Sequence, residues 1–234
     1  MSEGFDYKEM AQIHKDIHKN KVELLGHYGG DLSHSLSAWT STSRDMTPEK
    51  NSRIPNLLKM LAENHHETPF EKSAIHFLVT TDISVHIHLI KHRIGVSVNG
   101  ESARYKELKD DKFYVPQDWP EEEVLLYVQH MEDSLEKYHM VLARLIAGGM
   151  DRKRAKESAR FYLPYGNQIT ADIMFNWRSF YHFLTLRYSK HAQMEVRELA
   201  RKMLEMVNNL GTFELTLRAF GLKDETGNLA DPFE

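Results

Sequence analysis

Apolar positions along this chain recur with two periods, and the switches between them lay out a mixed protein. Val22-Glu23-Leu24-Leu25-Gly26-His27-Tyr28 reads as a strand running into a bend at Gly29-Gly30-Asp31. Thr47-Pro48-Glu49 has the form of a cap followed by proline at the first helical position. Pro55 then forces a second start, with Leu57, Leu58 and Leu61 making a stripe up to Asn64. Ile75, Phe77 and Val79 alternate within Ser73–Thr81, a strand pattern. Asp82 is placed to cap a helix in which Ile83, Ile87, Ile90 and Ile94 recur at helical spacing. After a loop punctuated by Pro116 and Pro120, three glutamates open a long amphipathic helix that should stop at Gly148-Gly149. Asp151 caps a further helix reaching Leu163, and Pro164 ends it. Gln168–Phe175 fits a strand, Trp177–Arg187 and His191–Leu210 read as helices, and Phe213–Phe220 as a last short one. Strands and helices mix without a regular βαβ series, which predicts an α+β fold with a mixed or antiparallel sheet packed with long helices. The expected organisation is one domain over 21–222, a polar extension or short helix at 1–20, and a tail at 223–234.

Composition narrows the function. The 234 residues, 41% hydrophobic, suffice for one buried core. A formal net charge of −4 gives no global basic field for nucleic acid, so any phosphate recognition must be local. No apolar run is long enough for a membrane span, and the first residues lack a leader pattern, so a cytoplasmic location is expected. With no cysteine, disulfides, thiolate metal sites and a cysteine nucleophile are all excluded. Fourteen histidines invite a metal, but His88 and His92 lack a carboxylate at ligand spacing, and no His-Glu-x-x-His pattern occurs, so no metal site is assigned.

The densest chemistry lies in residues 91–105. Lys91-His92-Arg93 precedes a Gly/Ser/Asn stretch that ends in Ser102-Ala103-Arg104-Tyr105. Such a loop can turn backbone N–H groups toward one anion, while Lys and Arg supply charge and the rings supply flat surfaces. A phosphorylated heterocycle suits it; so does the plainer reading of a basic, exposed turn between two elements.

This segment resembles the signature of flavin-dependent thymidylate synthases, with Lys91 in place of the usual Arg, and an eight-residue spacer between Arg93 and Ser102. Three further stretches are similar to that family in the same order: His66-Glu67-Thr68-Pro69-Phe70-Glu71, then Arg160-Phe161-Tyr162-Leu163-Pro164, then Asn176-Trp177-Arg178-Ser179-Phe180 with Leu186-Arg187 and His191-Ala192-Gln193-x-Glu195. Together they span about residues 22–220.

The resemblance implies reductive methylation of dUMP to dTMP. Methylene-tetrahydrofolate would be the one-carbon donor, FAD the cofactor and NADPH the reductant, in a homotetramer whose sites draw on several subunits. It implies FAD contacts from His66, Thr68, Lys91, His92, Arg93, Glu101, Asn176, Arg178 and His182. The nucleotide would meet His88, Lys91, Ser102, Ala103, Arg104, Arg160 and Arg187. Arg187 is the implied catalytic residue, its fixed charge favouring N3-deprotonated uracil; Ser102, with no base paired to it in sequence, binds phosphate in this reading. Departures from the family are His88 for a common Gln, His182 for a common Asn, and Gly100 where an acid usually stands two residues before the signature Ser. Competing readings are a non-catalytic flavin- or nucleotide-binding protein on the same fold and a His-rich metal-binding module.

Overall fold

The structure, a computed structural model, describes residues 7–102, 112–230 and 233. In chain order these form α1 (Tyr7–Ile17), β1 (Lys21–Tyr28), α2 (Asp31–Trp39), α3 (Pro48–Glu63), β2 (Ala74–Asp82), α4 (Ile83–Leu89), β3 (Val96–Gly100), α5 (Glu121–Ala147), α6 (Arg152–Ala159), β4 (Gln168–Phe175), α7 (Trp177–Arg187), α8 (Met194–Asn209) and α9 (Glu214–Ala219). Short 3-10 turns lie at Thr68–Glu71 and Arg160–Tyr162. The strands pair in the order β1-β2-β4-β3. The sheet is antiparallel: Glu101 N–H bonds Thr170 C=O while Asn176 N–H bonds Gly95 C=O, so β3 and β4 run in opposite senses. The α+β class expected from the pattern therefore holds. Among the described residues no helix is long and apolar enough to cross a membrane.

The chain forms two compact units. The first takes residues from Met1–Lys21, Val79–Leu89 and Asn99–Ala171. Its axis is the long helix α5, which buries Val124, Val128, Met131, Leu135, Tyr138 and Leu142 along one stripe. Helix α1 lays the fully buried Ala11 against this stripe, together with Phe113 and Val115. On the other end of α5, Ala155 and Ala159 of α6 pack beside Tyr138 and Leu142. Gly166 is required here by close approach: a Cβ on it would lie 1.7 Å from the Tyr127 hydroxyl. Burial pushes the Tyr127 phenol up to about 12, with the nearby Asp82 carboxylate adding to the shift.

The second unit takes Val22–Leu78, Ile90–Val98 and Asp172–Glu234. Its core is aromatic. Phe70, Phe77, Phe175, Trp177, Phe180, Phe183 and Phe213 are all essentially fully buried, and Trp177 stacks on Phe213 with ring centroids 5.5 Å apart. A buried polar chain threads this core. His34 meets Thr216 Oγ1 at 3.1 Å through Nδ1 and Ser73 Oγ at 3.0 Å through Nε2. Asp31 accepts from the Thr216 hydroxyl at 2.6 Å and from the N–H groups of Leu215 and Thr216.

Several boundaries differ from the pattern reading. Helix α3 runs through Pro55 without a second start. The missing N–H costs one backbone bond, and Ile54, Leu58 and Leu61, buried on both sides of the proline, hold the helix together. Helix α4 stops at Leu89, so Ile90 and Ile94 do not continue its stripe; both are exposed. Residues 96–100, expected as loop, form β3, and the bend at 29–31 opens α2. Helix α8 begins at Met194, three residues after the expected His191, because Gln193 is extended (ψ 138°). Caps fall where the sequence placed them: Thr47 accepts from Lys50 N–H, Asp82 from Val85 N–H, and Asp151 from Lys153 and Arg154 N–H.

Candidate active site

The start of α7 organises the chemistry of the second unit. Asn176 is its N-cap, accepting from Ser179 N–H at 2.9 Å. Ser179 in turn donates its hydroxyl to the Ile94 carbonyl at 2.7 Å. This ties the basic loop that follows α4 to α7. Gly95 makes the contact possible: its φ is +67°, and a Cβ there would lie 2.2 Å from Ser179 Oγ and 2.6 Å from Asn176 Nδ2.

Two adjoining clefts result, sharing Ile94, Ser179 and His182. The larger, about 520 Å³, is also lined by Glu67, Glu71, Gly95, Asn176, Arg178, Tyr181 and Thr185. Arg178 is clamped between two carboxylates, Nε to Glu67 at 2.6 Å and Nη1 to Glu71 at 2.7 Å. The hydrogen bond to Glu71, with the charges of both acids, raises its pKa above the ordinary value. Burial, and then the Glu67 charge, likewise pushes the Tyr181 phenol up.

The smaller cleft, about 350 Å³, is lined by Lys91, His92, Arg93, Val96, Leu186 and Arg187 as well. Among the described residues its lining has three cationic side chains and no carboxylate. Lys91 and Arg93 are exposed, whereas His92 is buried and Arg187 half-buried. The Arg187 Nε–H donates to His92 Nε2 at 3.0 Å. That imidazole nitrogen accepts the bond through its lone pair. Phe183 packs edge-on to His92 at 5.2 Å, and His182 also meets it edge-on. Burial lowers the Arg187 pKa from its usual value.

Of the residues singled out in the sequence, Lys91, His92, Arg93, Asn176, Arg178, His182 and Arg187 thus come together around these clefts. His66 and Thr68 are exposed in the second unit and do not line either one. His88, Glu101, Ser102 and Arg160 belong to the first unit. There, Glu101 accepts from Lys112 at 3.0 Å and from Thr170 N–H at 2.8 Å. Arg160 is exposed on its 3-10 turn. A Cβ on Gly100 would meet Ala171 and His86 at ordinary contact distances, so packing does not demand glycine at this position. Ala103 and Arg104 lie outside the described residues. Sequence reasoning missed the roles of Glu67, Glu71, Tyr181 and Gly95 as cleft residues; the acids were visible only as letters of the His-Glu-Thr-Pro-Phe-Glu stretch. Among the described residues no group of three His, Asp or Glu has metal-site geometry.

Residues 23–210 match the family model described as thymidylate synthase complementing protein. The flavin-dependent thymidylate synthase of Thermosipho melanesiensis is 35% identical over 208 residues, covering 82% of this chain and 87% of the relative. The enzyme of the same name from Pseudothermotoga lettingae is 32% identical, covering 84% and 90%. Among solved structures, the UMP/dUMP methylase PolB from Streptomyces cacaoi, bound with 5-Br UMP, superposes with a TM-score of 0.72 at 26% identity, covering 87% of this chain and 94% of its own. Cationic cleft, ordered motifs and these matches agree: the chain belongs to the flavin-dependent thymidylate synthase family.

Proposed function

We propose that this chain methylates dUMP to dTMP, with FAD as cofactor, methylene-tetrahydrofolate as one-carbon donor and NADPH as reductant, acting as a cytoplasmic homotetramer. The observation that carries the reading is Arg187: a half-buried guanidinium beside two further cations, held on the accepting Nε2 of His92, with no carboxylate among the described residues of its cleft. Such a charge calls for an anionic ligand. A uracil ring ionised at N3 is one, and its phosphate is another. With no cysteine in the chain, activation of the ring falls to a fixed charge in place of a covalent nucleophile.

The clefts also suit the flavin implied by the relatives' name. Asn176, Arg178, His182 and Ser179 offer hydrogen-bonding groups beside the apolar Ile94, which is 91% exposed. Lys91 and Arg93 supply cations for a pyrophosphate. When bound, reduced flavin supplies the hydride that completes the methyl group. In this reading His66, Thr68 and Glu101 also contact the cofactor, and His88, Ser102, Ala103, Arg104 and Arg160 hold the nucleotide.

The test is single-turnover oxidation of the reduced flavoprotein by dUMP and methylene-tetrahydrofolate, with UMP run in parallel. Arg187→Ala should slow it by on the order of 10² to 10³ while flavin absorbance and fold persist. A native protein that binds flavin but shows no nucleotide-dependent oxidation would instead be the non-catalytic flavoprotein. Near-normal turnover in Arg187→Ala would remove that residue from its role.

A further inference from the structure

We propose that Glu67 and Glu71 are positioning residues for Arg178, presetting its guanidinium so that a single edge is left for a ligand in the larger cleft. The inference rests on the flavin reading given above and adds to it residues that reading did not use.

Arg178 is about half exposed, with 51% of its side-chain surface accessible. An arginine so placed ordinarily samples many rotamers, and fixing it on ligand binding costs entropy. Here the cost has been met beforehand. Glu67 takes Nε at 2.6 Å and Glu71 takes Nη1 at 2.7 Å. Both acids stand on a firm base. The 3-10 turn Thr68–Glu71 is pinned by Phe70, fully buried, whose ring lies edge-on to Phe220 at 4.8 Å and to His34 at 5.2 Å. Arg178 itself follows the fully buried Trp177 in the first turn of α7. Anchored acids and an anchored backbone leave the guanidinium one orientation.

Nη2 has no acceptor among the described residues, so its N–H groups form the remaining edge. The local charge says what they meet. Two carboxylates around one guanidinium leave no surplus positive charge, so this edge does not select a bare phosphate. It suits a neutral acceptor: a ring carbonyl, a ring nitrogen or a hydroxyl. The phosphate-attracting charge lies in the adjoining cleft, on Lys91, Arg93 and Arg187. Exposed ion pairs add little to stability; the worth of this pair lies in preorganisation.

A double-mutant cycle on FAD affinity tests this, using equilibrium titration of the full chain. Glu67→Gln and Glu71→Gln should each weaken FAD binding by about three- to tenfold, the range of one ordinary net hydrogen bond, since glutamine keeps an acceptor oxygen. In an Arg178→Ala background the same changes should have no further effect. Arg178→Lys, which keeps charge but has no fork, should bind FAD as weakly as Arg178→Ala. Melting curves of each variant separate a folding defect from a binding one, and Arg178→Lys does not disturb the acids. Losses that add to that of Arg178→Ala, tighter FAD binding in the Gln variants, or full affinity in Arg178→Lys would each overturn the inference. A native chain that takes up no FAD would remove the flavin reading and this inference together. Native binding with an additive cycle would remove the inference alone.

Discussion

Two arginines of one helix hold their charge in opposite ways. Arg178, at the start of α7, is over-compensated by acids; Arg187, at its end, is held by an accepting ring nitrogen. The difference leaves Arg187 free to act on an anion. It also makes His92 its support. His92→Ala should lower the rate of the nucleotide-dependent step by about tenfold, one lost hydrogen bond to a charged group. His92→Gln, which can place an acceptor oxygen near the same point, should recover part of it. Equal losses in both would show that the ring itself, and not its acceptor, is what matters. Gly95→Ala is expected to destabilise the fold by about 2–3 kcal/mol through its left-handed φ and the collision with Ser179, read as a lower urea midpoint. The half-burial of Arg187 was legible from the Phe180, Tyr181, Phe183, Leu184 and Leu186 around it. Its partner was not, since no local pattern reports a contact between positions 92 and 187.

At the level of elements, His34 is the joint between α2, the start of β2 and α9, through Thr216 and Ser73. Burial lowers its pKa to about 3. The unfolded chain takes up a proton near the ordinary value of about 6.5, and the folded one does not until about 3. Stability from this group is therefore complete above pH ~6.5 and falls as pH drops toward ~3, by about 1.4 kcal/mol per unit. Asp31, in the same network, is shifted up by burial and works in the opposite sense, losing stability as pH rises from the carboxylate range. The comparison to make is denaturant unfolding at pH 7 and pH 5 for the native chain and His34→Gln. The variant should be less stable at pH 7 but show a flatter pH dependence; an unchanged slope would exclude His34 as its source. Elements with long regular periods, α5, α7 and β2 and β4, were legible from sequence because their buried faces are set by spacing. Helix α2 and strand β3 were not. Asp31-Leu32-Ser33-His34-Ser35 carries a polar pattern whose burial depends on partners far along the chain, and β3 is short, with its residues alternating only between half-buried and exposed.

On the scale of the whole molecule, the proposed tetramer would have large apolar side chains available to cover. Ile94, Phe161, Tyr28 and Leu126 are 91%, 82%, 71% and 68% exposed. The proposed tetramer should appear in light scattering at about four times the 27.3 kDa chain mass, and a monomer active in turnover would rule it out. The α+β class and the order of the motifs were legible in the sequence. The division into two units was not, because each is assembled from three separate stretches, and no linker composition marks a border.

That threading constrains how the protein can be made and cut. The backbone passes between the units five times, at 21/22, 78/79, 89/90, 98/99 and 171/172. No single contiguous fragment contains either unit alone, so neither can be excised, swapped into another gene or expressed by itself. A growing chain emerging from the ribosome has all the residues of the first unit once position 171 is out. The second must wait for the 63 residues Asp172–Glu234, which carry Phe175, Trp177, Phe180, Phe183 and Phe213 of the aromatic core and the cleft arginines Arg178 and Arg187. A nascent chain truncated before Trp177 would hold the Lys91-His92-Arg93 loop without the helix that gives it a purpose.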